Sequence, residues 1–126
     1  MARLLVVEDD PNQCFLYEQE LKAAGYDVIT ARDGREAIDL VAQVKPDLVV
    51  MDVSMSGMDG IEAMSRMLAK NHKLPIVLNT AYATYKDNFR AWSADAYVVK
   101  SSDLTELKNA IKNVLQSRES SARAGP

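Results

Sequence analysis

Three short runs of the chain, LLVV at 4–7, LVVM at 48–51 and IVL at 76–78, are apolar at consecutive positions instead of alternate ones. A strand with one wet face is apolar at every second residue. Uniform Val, Ile and Leu runs belong to strands covered on both faces, as in parallel sheets. Parallel neighbours need crossovers of about a dozen residues or more, usually helical. The intervals between the runs are long enough to supply them.

The element order follows from this. A helix from Pro11 to about Ala24 succeeds the first strand, and Gly25 ends it as a C′ residue. DVIT (27–30) is a short second strand, and Asp33-Gly34 is a turn signal. Residues 35–44 form a helix with Ala37, Ile38, Val41 and Ala42 along one stripe. DLVVM (47–51) is the third strand. Met58 to about Ala69 is a helix with Ile61, Met64 and Leu68 facing inward. IVLN (76–79) and AYVV (96–99) are the fourth and fifth strands. Residues 103–117 close the domain as a helix that turns Leu104, Leu107, Ile111 and Val114 or Leu115 to the core. Asp103 and Glu106 stand at its positive end. Between strands four and five, AYATYKDNFRAWSAD offers only Phe89 and Trp92 as large apolar anchors, which makes this the weakest helical segment. Five β units separated by helices imply an α/β sandwich with a parallel sheet and helices on both faces. Residues 1–117 make one domain, and 118–126 are expected to be a flexible polar tail.

The chain of 126 residues is 48% apolar and 26% charged, the composition of a globular domain. Its net charge of −3 and the lack of any basic run argue against a nucleic-acid surface. One cysteine, Cys14, excludes an internal disulfide and suits a reducing cytoplasm; it reads as a packing residue. No apolar stretch approaches the roughly 20 residues that span a membrane, and LLVV is too short for a signal peptide.

The chemistry collects at the strand ends. In open α/β sheets, ligands bind beyond the carboxyl ends of the strands. Strand one ends in Glu8, Asp9 and Asp10, strand three in Asp52, strand four in Thr80 and strand five in Lys100. Asp10 before Pro11 is an N-cap followed by proline at N1, but one helix needs only one cap. Two carboxylates about 5 Å apart repel by roughly 3 kcal/mol at an effective dielectric near 20. Compensation must come from solvent, a helix dipole or a cation. Clustered oxygen acids match a hard dication such as Mg²⁺, and a carboxylate, a hydroxyl and an ammonium beside it suit phosphoryl transfer. No P-loop, GxGxxG, GxSxG, HExxH or CxxC motif is present. His72 lies in a polar stretch and reads as a loop residue.

These motifs resemble the receiver domain of two-component response regulators, over about residues 3–116. VVEDD is similar to that family's acidic pair, and LVVMDVSMSGMDG to the segment around its phosphoacceptor. NTAY is similar to its switch threonine, and ADAYVVKSSD to its aromatic switch position and lysine. The resemblance implies a flavodoxin-like three-layer sandwich with strand order 2-1-3-4-5. It implies Mg²⁺ bound by Glu8, Asp9, Asp52 and the backbone carbonyl of Ser54. Asp52 would be the phosphoacceptor, Lys100 the phosphoryl partner, and Thr80 and Tyr97 the switch. The implied partners are a sensor histidine kinase or histidine phosphotransferase and a downstream effector, with a phosphorylation-dependent homodimer as a further option. The implied location is cytoplasmic, with no membrane or nucleic-acid contact. The domain would be a signalling module rather than an enzyme, limited to its own phosphotransfer and slow dephosphorylation.

Departures from the family pattern are specific. Ser56 and Ser101 stand where proline is common, and Ser93 replaces a usual glycine. A cis bond at Lys100–Ser101 without proline would cost roughly 2.5–4 kcal/mol. The Thr80-to-Lys100 interval is two residues shorter than the family pattern, so the helix within it is expected to be short or irregular. Tyr82 and Ser54 lie where side chains could influence a hydrolytic water. The rival readings are an aspartate-dependent phosphatase, a flavin carrier and a pseudo-receiver. The first wants its nucleophile after strand one and a cap insertion, and the second a glycine- and hydroxyl-rich phosphate loop. The third usually lacks one of the acids or the lysine, and all are present here.

Overall fold

The computed structural model describes residues 1–53, 60–81 and 93–124. Its strands are β1 (Arg3–Val7), β2 (Asp27–Ala31), β3 (Leu48–Met51), β4 (Ile76–Thr80) and β5 (Ala96–Val99). Among the described residues the helices are α1 (Pro11–Ala23), α2 (Gly34–Val44), α3 (Gly60–Lys70) and α4 (Thr105–Ala124). All strand pairs are parallel, in the order β2-β1-β3-β4-β5. This is the flavodoxin-like order that the resemblance implied and that periodicity alone left open.

Both faces of the sheet are covered, as the uniform apolar runs require. Leu5, Val7, Val49, Met51, Ile76 and Leu78 face α2 and α3, meeting Ala37, Val41, Ala63, Met64 and Met67. Leu4, Val6, Leu48, Val50, Val77 and Val98 face the other way, against Tyr17 and Leu21 of α1 and Leu107, Ile111 and Val114 of α4. The inward stripe of α3 is therefore Ala63, Met64 and Met67, with the expected Ile61 and Leu68 at its margins. α1 is the exception to two-sided sorting: it buries Tyr17 and Leu21 but leaves Phe15 63% and Leu16 42% exposed.

The helix ends show how the local sequence sets the boundaries. Asp10 caps α1, its side chain accepting from the Asn12 and Gln13 N–H groups, and Gly25 takes a positive φ of 101° just beyond the other end. Asp33, expected in a turn, is instead the N-cap of α2. It accepts from Glu36 N–H at 2.9 Å, while the Glu36 carboxylate accepts from Arg32 N–H at 3.3 Å. The last helix begins at Thr105, where Asp103 accepts from both the backbone N–H and the hydroxyl of Thr105, and it runs to Ala124. This carries it past the residue 117 expected from the apolar stripe. Arg118, beyond the last apolar stripe residue, donates to the Lys73 carbonyl at 3.0 Å and to Asp95 Oδ1 at 2.8 Å. Asp95 in turn accepts from Ile76 N–H at the start of β4. A polar anchor extends the helix where hydrophobic periodicity could not indicate it.

The expected start of the third helix at Met58 lies outside the described residues. So do Ser54, Ser56, Tyr82, Phe89, Trp92 and most of the segment between strands four and five. Ser93 is described, and its φ of 66° lies in the left-handed region, which explains physically why glycine suits that position.

Gly60 opens α3 against the chain that leaves β3. A Cβ built there would lie 2.6 Å from Val53 Cα, 2.7 Å from the Val53 carbonyl oxygen and 2.9 Å from that of Asp52. All three are backbone atoms, so no rotamer can relieve the clash. Gly60→Ala is expected to lower stability by about 2 kcal/mol, read as a shift of the urea midpoint.

Candidate functional site

The site is assembled by the sheet's register. Val7 pairs with Met51, and Met51 with Leu78. One residue further along, Glu8, Asp52 and Asn79 form a row across β1, β3 and β4. Side-chain alternation places this row on the α1/α4 face, two residues beyond Val6, Val50 and Val77. Lys100 follows Val98 by the same two residues and starts on that face as well. Its backbone N–H donates to the Thr80 carbonyl at 2.7 Å, which extends the β4–β5 ladder by one bond. The strand ends that carry chemistry in the sequence thus converge on one edge, and Lys100 reaches it with no cis peptide among the described residues.

The Lys100 ammonium bridges two buried carboxylates. Its Nζ lies 2.7 Å from Glu8 Oε1 and 2.8 Å from Asp52 Oδ2, with Glu8 only 3% and Asp52 5% exposed. The second oxygen of Glu8 accepts from Asp10 N–H at 3.1 Å. Two of the three consecutive acids meet their charge differently, Glu8 through Lys100 and Asp10 through the α1 N-terminus, and Asp9 between them is half-buried.

One ammonium between two carboxylates leaves negative charge in surplus. Burial pushes the Glu8 carboxyl up from its ordinary range, and the opposing hydrogen bond from Lys100 does not cancel that effect. Burial by itself would lower the Lys100 pKa, but hydrogen bonds to Asp52 and Glu8 outweigh it and the net direction is upward. Among the described residues no three His, Cys, Asp or Glu side chains gather into a metal-holding group. Glu8 and Asp52 are drawn onto one ammonium, and Asp9, the next residue after Glu8, is half-buried.

Thr80 is fully buried at the end of β4, and Tyr97 is buried among the side chains facing α2 and α3. Alternation puts Thr80 on that same face. In register Leu78 pairs with Tyr97 and Thr80 with Val99, so Thr80 and Tyr97 are diagonal neighbours on adjacent strands. His72 is exposed between α3 and β4. Burial pushes the Cys14 thiol up, as suits a packing residue. Two buried polar residues were not singled out from the sequence, Asn79 and Tyr17. The signal for Asn79 was the polar end of IVLN, in step with Glu8 and Asp52; Tyr17 carried none, because a tyrosine on a helix usually packs.

Comparisons with known proteins agree with this architecture. A family model for the response regulator receiver domain matches residues 4–112. The regulatory protein AtoC of Escherichia coli is 35% identical over 90% of this chain and 25% of its own length. The chain spans a quarter to about half of the length of the curated relatives it matches. The crystal structure of response regulator TrrA from Thermotoga maritima in complex with Mg²⁺ and BeF superposes with a TM-score of 0.85. It is 39% identical, covering 90% of this chain and 99% of that one. TrrA in complex with the histidine kinase ThkA gives a TM-score of 0.83 at 40% identity, covering 91% and 99%.

Replacing Lys100 by Met removes the cation and leaves two buried carboxylates facing each other. The variant is expected to lose about 3 kcal/mol at neutral pH. The raised Lys100 pKa also fixes a pH signature. The folded state holds that proton more tightly than the unfolded chain, so its stabilising contribution is complete below the ordinary lysine value of about 10.4 and disappears as pH rises through the folded value. Urea titrations from neutral to alkaline pH are expected to show this loss in the unsubstituted protein and not in Lys100→Met.

Proposed function

Because the chain belongs to the response regulator receiver family, whose members are signalling domains of two-component systems, we propose that it accepts a phosphoryl group on Asp52. The donor would be the phosphohistidine of a sensor kinase or histidine phosphotransferase. The observation that carries this reading is the contact of the Lys100 ammonium with both Asp52 and Glu8 at the carboxyl edge of the sheet.

The chemistry follows from that contact. An Asp52 oxygen attacks phosphorus in line with the leaving imidazole nitrogen. The P–N bond breaks, its electron pair stays on the imidazole, and an acyl phosphate forms on Asp52. Lys100, already against Asp52 Oδ2, needs only a small displacement to follow the new negative charge onto a phosphoryl oxygen. The donor set suits Mg²⁺, since it consists of carboxylate oxygens with an unbalanced negative charge, and this ion takes one or two carboxylates and keeps several waters. Asp9 and Asp52 would hold it directly. Glu8, whose two oxygens are engaged by Lys100 and Asp10, would act through water. The Ser54 carbonyl is the remaining proposed ligand. Bound there, Mg²⁺ supplies charge neutralisation at the transferring oxygens.

The readout we propose runs through Thr80 and Tyr97. The Thr80 hydroxyl turns toward a phosphoryl oxygen, and Tyr97 adjusts into the space beside it, biasing two existing states of a protein-binding surface toward one. A downstream effector, or a second phosphorylated copy, would read that surface. The apolar Phe15 and Leu16 on the exposed side of α1 would offer a partner kinase an apolar contact. Among the described residues no helix is long and apolar enough to cross a membrane, and we place the protein in the cytoplasm with its kinase's catalytic region.

Incubation with acetyl phosphate and Mg²⁺ is expected to add one phosphoryl group, visible by intact mass. Asp52→Asn is expected to reduce that signal to background, as is chelation of the metal. Label persisting in Asp52→Asn would move the acceptor elsewhere.

A further inference from the structure

Three polar groups of Asp10 are tied at once. Its carboxylate caps α1, accepting from Asn12 N–H at 2.9 Å and Gln13 N–H at 3.4 Å, and its carbonyl accepts from Cys14 N–H at 2.9 Å, the first bond of the helix. Its own N–H points the other way, to Glu8 Oε2 at 3.1 Å. In a reciprocal cap, the side chain at the third helical position accepts the N–H of the capping residue. Here that position is Gln13, which has a suitable oxygen. The N–H nevertheless goes to Glu8, and Gln13 Oε1 accepts from the Tyr17 hydroxyl at 3.5 Å. A donor that the helix could use for itself is directed into the site.

Glu8 gains a fixed orientation from this. Its backbone N–H donates to the Ala31 carbonyl at 3.0 Å, and only Asp9 separates it from the cap. The residue is 3% exposed, and its carboxylate lies between two donors: the Asp10 N–H on Oε2 and the Lys100 ammonium, 2.7 Å away, on Oε1. These donors are unequal. A lysine has among the highest rotamer freedom of any side chain, whereas a backbone N–H in a capped turn has little. The amide therefore sets where the Glu8 carboxylate stands. That carboxylate then helps to set where Lys100 stands, 2.8 Å from Asp52 Oδ2.

We propose that Asp10 is a positioning residue for the phosphoryl-transfer site: by capping α1 it aims its backbone N–H at Glu8, and Glu8 in turn holds Lys100 against the acceptor. Pro11 at the first helical position supports the arrangement. It has no N–H of its own, so the capping carboxylate is left to Asn12 and Gln13, and its fixed φ is already that of a helix. A small misplacement of a charge-stabilising group is enough to slow the transfer. In this role Asp10 acts only through Glu8 and Lys100.

The inference rests on Asp52 as acceptor, and the experiment separates the two. Asp10→Ala removes the cap, and Asp10→Ser keeps one without the charge. Asp33→Ala is the control, because it removes the cap of α2, a helix that brings no side chain to the site. Three quantities are followed: the melting temperature, the rate of labelling by acetyl phosphate at saturating Mg²⁺, and the nitrogen-15 resonance of the Lys100 ammonium without metal or phosphodonor. Both alanine variants are expected to melt about 4 °C lower. Only Asp10→Ala is expected to slow labelling, on the order of tenfold, and to shift the ammonium resonance. Asp10→Ser is expected to restore both, which assigns the effect to the cap and not to the lost charge. Equal slowing in Asp33→Ala would reduce the effect to general stability and overturn the proposal. An unmoved ammonium resonance in Asp10→Ala, or labelling in Asp10→Ser as slow as in Asp10→Ala, would overturn it too. Should Asp10→Ala not fold, Asp10→Gly, a milder loss for the helix, is read by the same criteria. Absence of label in the unsubstituted protein would sink the acceptor reading instead, and the ammonium resonance would still decide this one.

Discussion

The Lys100 ammonium holds two buried carboxylates together at the edge of a sheet whose apolar rows leave no other room for charge. The site's geometry depends on this contact. Without the cation, Glu8 and Asp52 would face one another across the β1–β3 pair with a repulsion of roughly 3 kcal/mol. With it, the edge is compact, and burial still raises the Glu8 carboxyl above its ordinary range. It is at this edge that we propose a dication and a phosphoryl group are bound.

The rest of the fold serves to deliver these groups. Parallel register puts the ends of β1, β3, β4 and β5 on one edge, and alternation decides which residues face α1 and α4. Gly60 lets α3 begin in contact with the backbone of Asp52 and Val53, so β3 ends against a close-packed wall. Thr80 and Tyr97 lie on the opposite face from Lys100. β4, which ends in Thr80, therefore also carries, one residue earlier, an asparagine on the α1/α4 face. One strand end thus carries buried polar side chains on both faces of the sheet.

Much of this was legible in the residues. Uniform Val and Leu runs announced two-sided burial because a strand exposed on one face would carry polar residues at every second position. Asp10-Pro11 announced the start of α1 because a carboxylate and a missing N–H both suit a helix N-terminus. Other features were hidden for identifiable reasons. Asp33-Gly34 has the chemistry of a turn and of a cap, and only the hydrogen bond to Glu36 N–H distinguishes them. The length of α4 was missed because Arg118 is held by Lys73 and Asp95, residues 45 and 23 positions away in the chain. Of the residues expected to face inward from α3, Met64 is buried while Ile61 and Leu68 lie at the margin, because helix rotation is decided by the packed neighbour α2 and not by α3's own sequence.

The amino-acid sequence by itself determined the element types, the two-faced burial of the sheet and the list of charged residues at strand ends, because each follows from local periodicity and side-chain chemistry. The tertiary structure decided which charges meet. That Glu8 shares Lys100 with Asp52, and that Asn79 falls in one row with both carboxylates, depends on register between strands far apart in the chain. Register is a property of strand pairs and of the helices packed on them, so no single segment contains it.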